Sequence, residues 1–183
     1  MIVRLGAHFF MEVFIMNNVK KLTLSGLFCA LAIIGSFISF PVFGSKCAPV
    51  QHMVNVMAAV ILGPWAGLAI AFISSLLRNL MGLGTPLAFP GSMIGVVLAG
   101  ILYRKTGKIL NACIGEAFGT GIFGGICAYP IAIIFMGKNA AEIGYFIYVV
   151  PFLISTVAGS ILGGLAVYSL SKSSVLKENI MNV

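Results

Sequence analysis

The sequence contains no aspartate and only four glutamates, Glu12, Glu116, Glu142 and Glu178, in 183 residues. Charged residues make up 8% of the chain and hydrophobic ones 60%, whereas a soluble domain carries about 25% charged residues. So little charge does not cover a water-soluble surface, and the chain reads as an integral membrane protein. Histidine is scarce too, with only His8 and His52, so a metal site built on His52 and Cys47 has too few ligands. None of the four cysteines, Cys29, Cys47, Cys113 and Cys127, forms a CxxC pair. Cys29, Cys113 and Cys127 lie in apolar runs and read as small buried hydrophobes, while Cys47 sits in a polar loop. No Walker motif occurs, so any ATP-driven step belongs to another chain. No inverted repeat of the carrier kind is visible, and the length leaves no room for an added catalytic module.

What is present is a series of apolar runs separated by short basic clusters. The net charge of +7 is spread through these clusters, the pattern of topogenic charges rather than of nucleic-acid binding. The charge-free stretch 22–40 is nineteen residues long, enough to span a bilayer at about 1.5 Å per residue. Pro41 and Gly44 end it. From Cys47 to Leu77 no charge occurs, and Gly63-Pro64 divides that run into two short helices, 50–62 and 65–81. Two re-entrant half-helices are the alternative. Further helices are expected at 91–103, with Ser92 near its capping position, at 109–136, and at 145–170. The expectation is therefore an all-α membrane protein, a compact bundle of six transmembrane helices, some of them short. Residues 16–183 form this domain. Residues 1–15, with Arg4, His8 and Glu12 on one helical face, read either as a short interfacial helix or as an upstream extension.

Basic residues set the orientation. With both termini cytoplasmic, Arg4, Lys20, Lys21, Arg104, Lys105, Lys108, Lys172 and Lys177 fall inside, and Lys46, Arg78 and Lys138 outside. The start of the second helix and the end of the third then meet at the outer face. Gln51, His52 and Asn55 share one side of the second helix by their i, i+3 and i, i+4 spacing. Arg78 and Asn79 reach the same level, beside loops carrying Lys46, Cys47, Thr85 and Phe89. Polar side chains in a bundle are costly unless they pair or face a cavity. Several at one depth point to a ligand pocket, although each alone could simply brace helices or, for Arg78, snorkel to headgroups. Glu116 is expected near the inner end of its helix, so no acid is expected in the pocket. A neutral heteroaromatic ligand fits, with Phe43, Phe89 or Tyr145 available for stacking. An intramembrane enzyme using Cys47, His52 or Glu116 is the competing class, and a membrane scaffold without a ligand is a third.

Small residues recur at spacing four: Ser25/Cys29, Gly26/Ala30, Gly115/Gly119, Gly121/Gly125 and Ser155/Gly159/Gly163. Such faces allow close helix approach. On the last two helices this reads as packing within the bundle. On the first helix, Ser25, Gly26, Cys29 and Ala30 could instead dock a partner subunit.

Taken together, Lys46-Cys-Ala-Pro-Val-Gln-His52, Asn55-Val, Leu62-Gly-Pro-Trp65, Arg78-Asn79, Gly82-Leu-Gly-Thr85 and Leu87-Ala-Phe-Pro-Gly-Ser-Met93 resemble the ThiW family. The resemblance covers residues 20–171 and leaves 1–15 outside it. It implies a substrate-binding S component of an energy-coupling factor (ECF) transporter in the cell membrane. It further implies a thiamin precursor as substrate, hydroxyethylthiazole first, with the pyrimidine precursor or thiamin as alternatives. The implied partners are a transmembrane coupling subunit and two cytoplasmic ATPases, and no cofactor is implied. Cys47, Gln51, His52, Asn55, Arg78, Asn79 and Phe89 are the candidate substrate-binding residues. The family's AxxxA coupling face corresponds here to Gly26-x-x-x-Ala30 or Ser25-x-x-x-Cys29.

Overall fold

Among the described residues, the chain forms seven α-helices, one π-helical turn and one small β-hairpin. The structure, a computed structural model, describes residues 2–42 and 45–172, with side chains from residue 18 onward. Phe43 and Lys177 lie outside the described residues, as do the side chains of Arg4, His8 and Glu12.

Helix α1 runs from Ile2 to Gly35, continuous through the segment expected to stand apart as residues 1–15. It stops short of the expected end at residue 40. A Cβ on Gly35 would collide with the Val50 side chain, and the Ser36 hydroxyl turns back to the Ile33 carbonyl. Strands β1 (Phe40–Val42) and β2 (Ser45–Cys47) then form an antiparallel hairpin in which Pro41 faces Lys46. Pro41 has no N–H to donate and sits in a two-stranded ribbon, where an edge position tolerates it.

Helices α2 (Pro49–Ile61) and α3 (Pro64–Leu80) each start with a proline in the first turn, where its missing N–H costs nothing. Between them Gly63 has φ of 90°, a conformation other residues rarely adopt. The guanidinium of Arg104 lies where a Gly63 side chain would point. The α2–α3 turn and the basic end of α4 (Ala88–Thr106) therefore sit at the same end of the molecule. The hairpin lies at the opposite end of α2. Helix α4 begins earlier than expected, so Ser92 is inside it and bonds back to the Ala88 carbonyl at 2.8 Å rather than capping it.

Helices α5 (Ile109–Phe118) and α6 (Gly125–Met136) are joined by a π-helical turn, Gly119–Gly124. They form one continuous 28-residue rod, Ile109–Met136, with the boundaries expected from sequence. Helix α7 (Val149–Lys172) starts later than the expected residue 145. Counting the α5–α6 rod once, the described residues form six helices, as the sequence predicts. Asn18–Gly35, Ile109–Met136 and Val149–Lys172 are long and apolar enough to cross a membrane.

The interior is small and polar, and the exterior is large and apolar. Ala32, Ala58, Ala59, Ala71, Ala99, Ala112, Ser75 and Ser92 are buried, while Leu22, Ile34, Leu80, Leu110, Ile134, Phe135, Ile161 and Leu165 are exposed. Small residues let backbones meet where lipid, not water, surrounds the bundle. Gly115 abuts Ala99, Gly119 abuts Gly95, and Gly124 abuts Gly91, which locks the α5–α6 rod onto α4. Gly159 and Gly163 fit against Pro49, His52, Met53 and Val56 of α2. The spacing-four glycines of the last two helices therefore serve internal packing, as expected.

Candidate functional site

The polar centre is built from the hairpin end downward. The Cys47 thiol, fully buried, donates to the Pro151 carbonyl at 3.2 Å. The next residue's backbone N–H, from Ala48, donates to the Ser155 hydroxyl at 2.9 Å. These two bonds fasten β2 to the first turns of α7. On the other side, the Leu83 and Gly84 amides donate to the Arg78 carbonyl at 2.8 and 3.0 Å, closing the C-terminal end of α3 in the manner of a glycine cap. Asn79 donates to the Ser75 carbonyl at 2.8 Å and the Thr85 carbonyl at 3.1 Å, holding the following loop against its own helix.

Between these fastenings lies a pocket lined by Gln51 and His52 of α2, Arg78 of α3, Ser92 of α4, Thr120 of the π turn and Ser155 of α7. Lys46, Thr85, Leu87 and Phe152 complete its rim and walls. Its volume is about 30 Å³, room for about one or two waters. A ring-sized ligand therefore needs the rim side chains or the hairpin to move outward.

Two hydrogen-bond chains organise the walls. Gln51 Nε2 donates to Ser75 Oγ at 3.2 Å, Ser75 Oγ pairs with Ser92 Oγ at 3.2 Å, and Ser92 donates onward to Ala88. Each hydroxyl carries one proton, so the Ser92 donation leaves Ser75 as donor in the middle link. The second chain centres on Glu116, which is fully buried. Its Oε1 faces His52 Nδ1 at 2.9 Å, Asn55 Nδ2 at 2.9 Å and Thr120 Oγ1 at 3.1 Å. Asn55 spends its second amide hydrogen on the Ser92 carbonyl at 3.3 Å. The Thr120 hydroxyl also reaches the Gly91 carbonyl at 3.0 Å.

This geometry places an acid immediately behind the pocket, although none lines it. Glu116 lies about two turns from the N-terminal end of its helix, as expected, but directly behind His52 and Thr120. Close contact of Gly119 with Gly95 brings α5 and the π turn near enough to α4 for that reach. A sequence signal existed: Glu116 and Thr120 are four apart on an otherwise apolar helix, so they share a face. A buried carboxylate also requires a partner, and His52 was the histidine within the apolar region. Ser75, Ser92, Thr120 and Ser155 were likewise not singled out as site residues, because single hydroxyls are common in apolar helices.

The sequence-selected residues divide into two groups. Gln51, His52 and Arg78 line the pocket. Asn55 and Asn79 brace it through the bonds above, and Cys47 ties the hairpin to α7. Phe89 stacks on Phe72 with centroids 5.7 Å apart, and Tyr145 stacks on Tyr129 and Phe146; neither lines the pocket. Cys47 and His52 are each engaged elsewhere, and burial pushes the Cys47 thiol above its ordinary range, which starves it of thiolate. Among the described residues no cluster of three or more His, Cys, Asp or Glu could hold a metal ion. On α1, the docking candidates also separate. Ser25 bonds its own helix at Lys21, and the Cys29 thiol points to the Ile70 carbonyl at 3.8 Å. Gly26 and Ala30 face outward, and nothing lies within 4 Å of where a Gly26 side chain would start.

A lipid-matched exterior wrapped around a buried polar pocket defines an all-α membrane protein organised about an internal polar site. The family model described as thiamine-precursor transporter protein (ThiW) matches residues 22–173, and the chain belongs to that family. It is a multi-pass membrane protein. The chain is also similar to UPF0397 proteins from two strains of Streptococcus thermophilus, ATCC BAA-491 / LMD-9 and CNRZ 1066. Each is 33% identical over 64 residues, which is 34% of this chain and 35% of the relative. The match thus spans about a third of the length of those relatives.

Proposed function

We propose that the chain is the substrate-specificity (S) component of an ECF transporter, an ABC-type uptake system, and that it captures hydroxyethylthiazole. Family membership supports a thiamin precursor as cargo. The observation that carries the site is the convergence of Gln51, His52 and Arg78 on one pocket beneath the hairpin. Six helices cross the membrane, both termini are cytoplasmic, and the hairpin end faces outward. The grouping of Arg104 with the Gly63 turn supports this orientation, because it gathers basic charge at the opposite end from the pocket. The pocket residues bind and do no covalent chemistry, consistent with the engaged Cys47 thiol.

Energy comes from partners. The chain has no phosphate-binding loop of its own, so two cytoplasmic ATPases act through a transmembrane coupling subunit. The outward Gly26–Ala30 face of α1 is the docking surface for that subunit. Cys47, Asn55, Asn79 and Phe89 support the pocket, and Gln51, His52 and Arg78 contact the cargo. Calorimetry on the purified protein with hydroxyethylthiazole, thiamin and the pyrimidine precursor tests the reading. Saturable binding of the thiazole, weakened about tenfold or more by Gln51→Ala as for loss of a buried hydrogen bond, is the expected result. Absence of binding by all three would overturn it.

A further inference from the structure

Arg78 is 2% exposed and lines the pocket. Its Nε and Nη1 have no hydrogen-bond partner among the described residues. A buried guanidinium left in this condition is costly, and the cost is removed when an anion or strong acceptor pairs with it. The C-terminal end of α3 supplies a partial negative charge near it, but no side-chain carboxylate does. No Asp or Glu lines the pocket. Glu116 lies behind His52 and Thr120, with one oxygen directed at them. Its other oxygen, Oε2, is likewise without a hydrogen-bond partner among the described residues and forms no ion pair with Arg78.

The rest of the lining is of the same electrical character. Lys46 stands at the rim, with its ammonium donating to the Leu83 carbonyl at 3.4 Å. Ser45, Thr85 and Ser155 add short-range hydroxyl donors to the same walls. Two cations with several donors and no acid describe a receptor for an oxyanion, the group guanidinium binds best. The pocket was expected to suit an uncharged ring; the unpaired Arg78 reverses that expectation for one end of the ligand.

We infer that the cargo carries an acidic group, a phosphate ester or a carboxylate, which pairs with Arg78 under the hairpin while Gln51 and His52 take the remainder of the molecule. The inference rests on reading this pocket as the substrate site. It keeps a thiamin precursor as cargo but puts an acidic form in place of the uncharged alcohol named above.

Three probes separate the alternatives in titrations of the full chain in lipid nanodiscs: hydroxyethylthiazole, its phosphate ester, and the acid in which its CH₂OH is replaced by a carboxylate. At least one of the two acids should bind about tenfold or more tightly than the alcohol, as expected for charge-assisted hydrogen bonds. Whichever acid does so identifies the group. Arg78→Gln should cut that preference below threefold. Because this change removes an uncompensated charge, it should not unfold the protein, and Arg78→Lys, which keeps charge without the planar fork, should fall between. An alcohol that binds as tightly as both acids overturns the inference and leaves the transporter reading intact. A preference that survives Arg78→Gln overturns it also. If none of the three binds, both readings fail.

Discussion

Glu116 is the single residue on which most of the polar interior depends. One of its oxygens serves His52, Asn55 and Thr120 together, drawn from α2 and the π turn. Removing it takes the acceptor from His52 and leaves Asn55 and Thr120 only the Ser92 and Gly91 carbonyls. Glu116→Ala is expected to cost about 3–5 kcal/mol, the range for breaking a buried charged pair from one side. Thermal unfolding in detergent measures this, and Glu116→Gln, which keeps an acceptor oxygen, should lose less. Cys47 is the contrasting case. Burial raises its pKa, so less thiolate is present at neutral pH and alkylation should be slow until the protein is unfolded. Cys47→Ser should bind cargo with near-unchanged affinity. Rapid labelling of native Cys47, or loss of binding in the serine variant, would count against its role as a fastener. His52 and Gln51 were identifiable from their helical spacing alone. Glu116 was legible only in part: its spacing to Thr120 marks a shared face, but its place beside His52 depends on how closely the helices approach, and spacing within one helix carries no such information.

At the scale of elements, close approach is set by glycine. A Cβ on Gly95 would strike the Thr120 hydroxyl and the Glu116 carboxylate. Gly95→Val should therefore lower the melting temperature and weaken cargo binding together, since overpacking costs about 1–3 kcal/mol and here it pushes on the site itself. Gly26 is the opposite case: open space surrounds it. Gly26→Leu should leave stability and cargo binding unaltered while abolishing co-purification with a coupling subunit. Retention of the complex would move the docking surface elsewhere. Elements were legible in sequence to differing degrees. The Gly63-Pro64 break and the rod Ile109–Met136 followed directly from chain chemistry. The early stop of α1 at Gly35 did not, and the need for glycine there comes from Val50, fifteen positions away. The hairpin was read as a loop, since three-residue strands leave too little alternation to register.

For the whole molecule, the proposed orientation makes a labelling test. A cysteine replacing Lys46 should react with a membrane-impermeant maleimide in intact cells, and one replacing Lys105 only after permeabilisation, both judged against a cysteine-free background. The reverse pattern would invert the topology. The membrane class was plain from composition, because so few charges cannot solvate a surface. The pocket's electrical sign was not, since it depends on which buried charges meet and which are left single. One last consequence comes from the π turn Gly119–Gly124. A π turn accommodates an extra residue relative to α-helical winding, so it shifts the phase of everything after it. Deleting one residue from that stretch would restore α-helical winding and rotate the following segment by about 100°. Gly125, which now meets Val149, would turn away from α7. Length in this six-residue window is therefore as binding as identity: an alignment that places a gap there describes a differently assembled bundle, whatever residues it matches on either side.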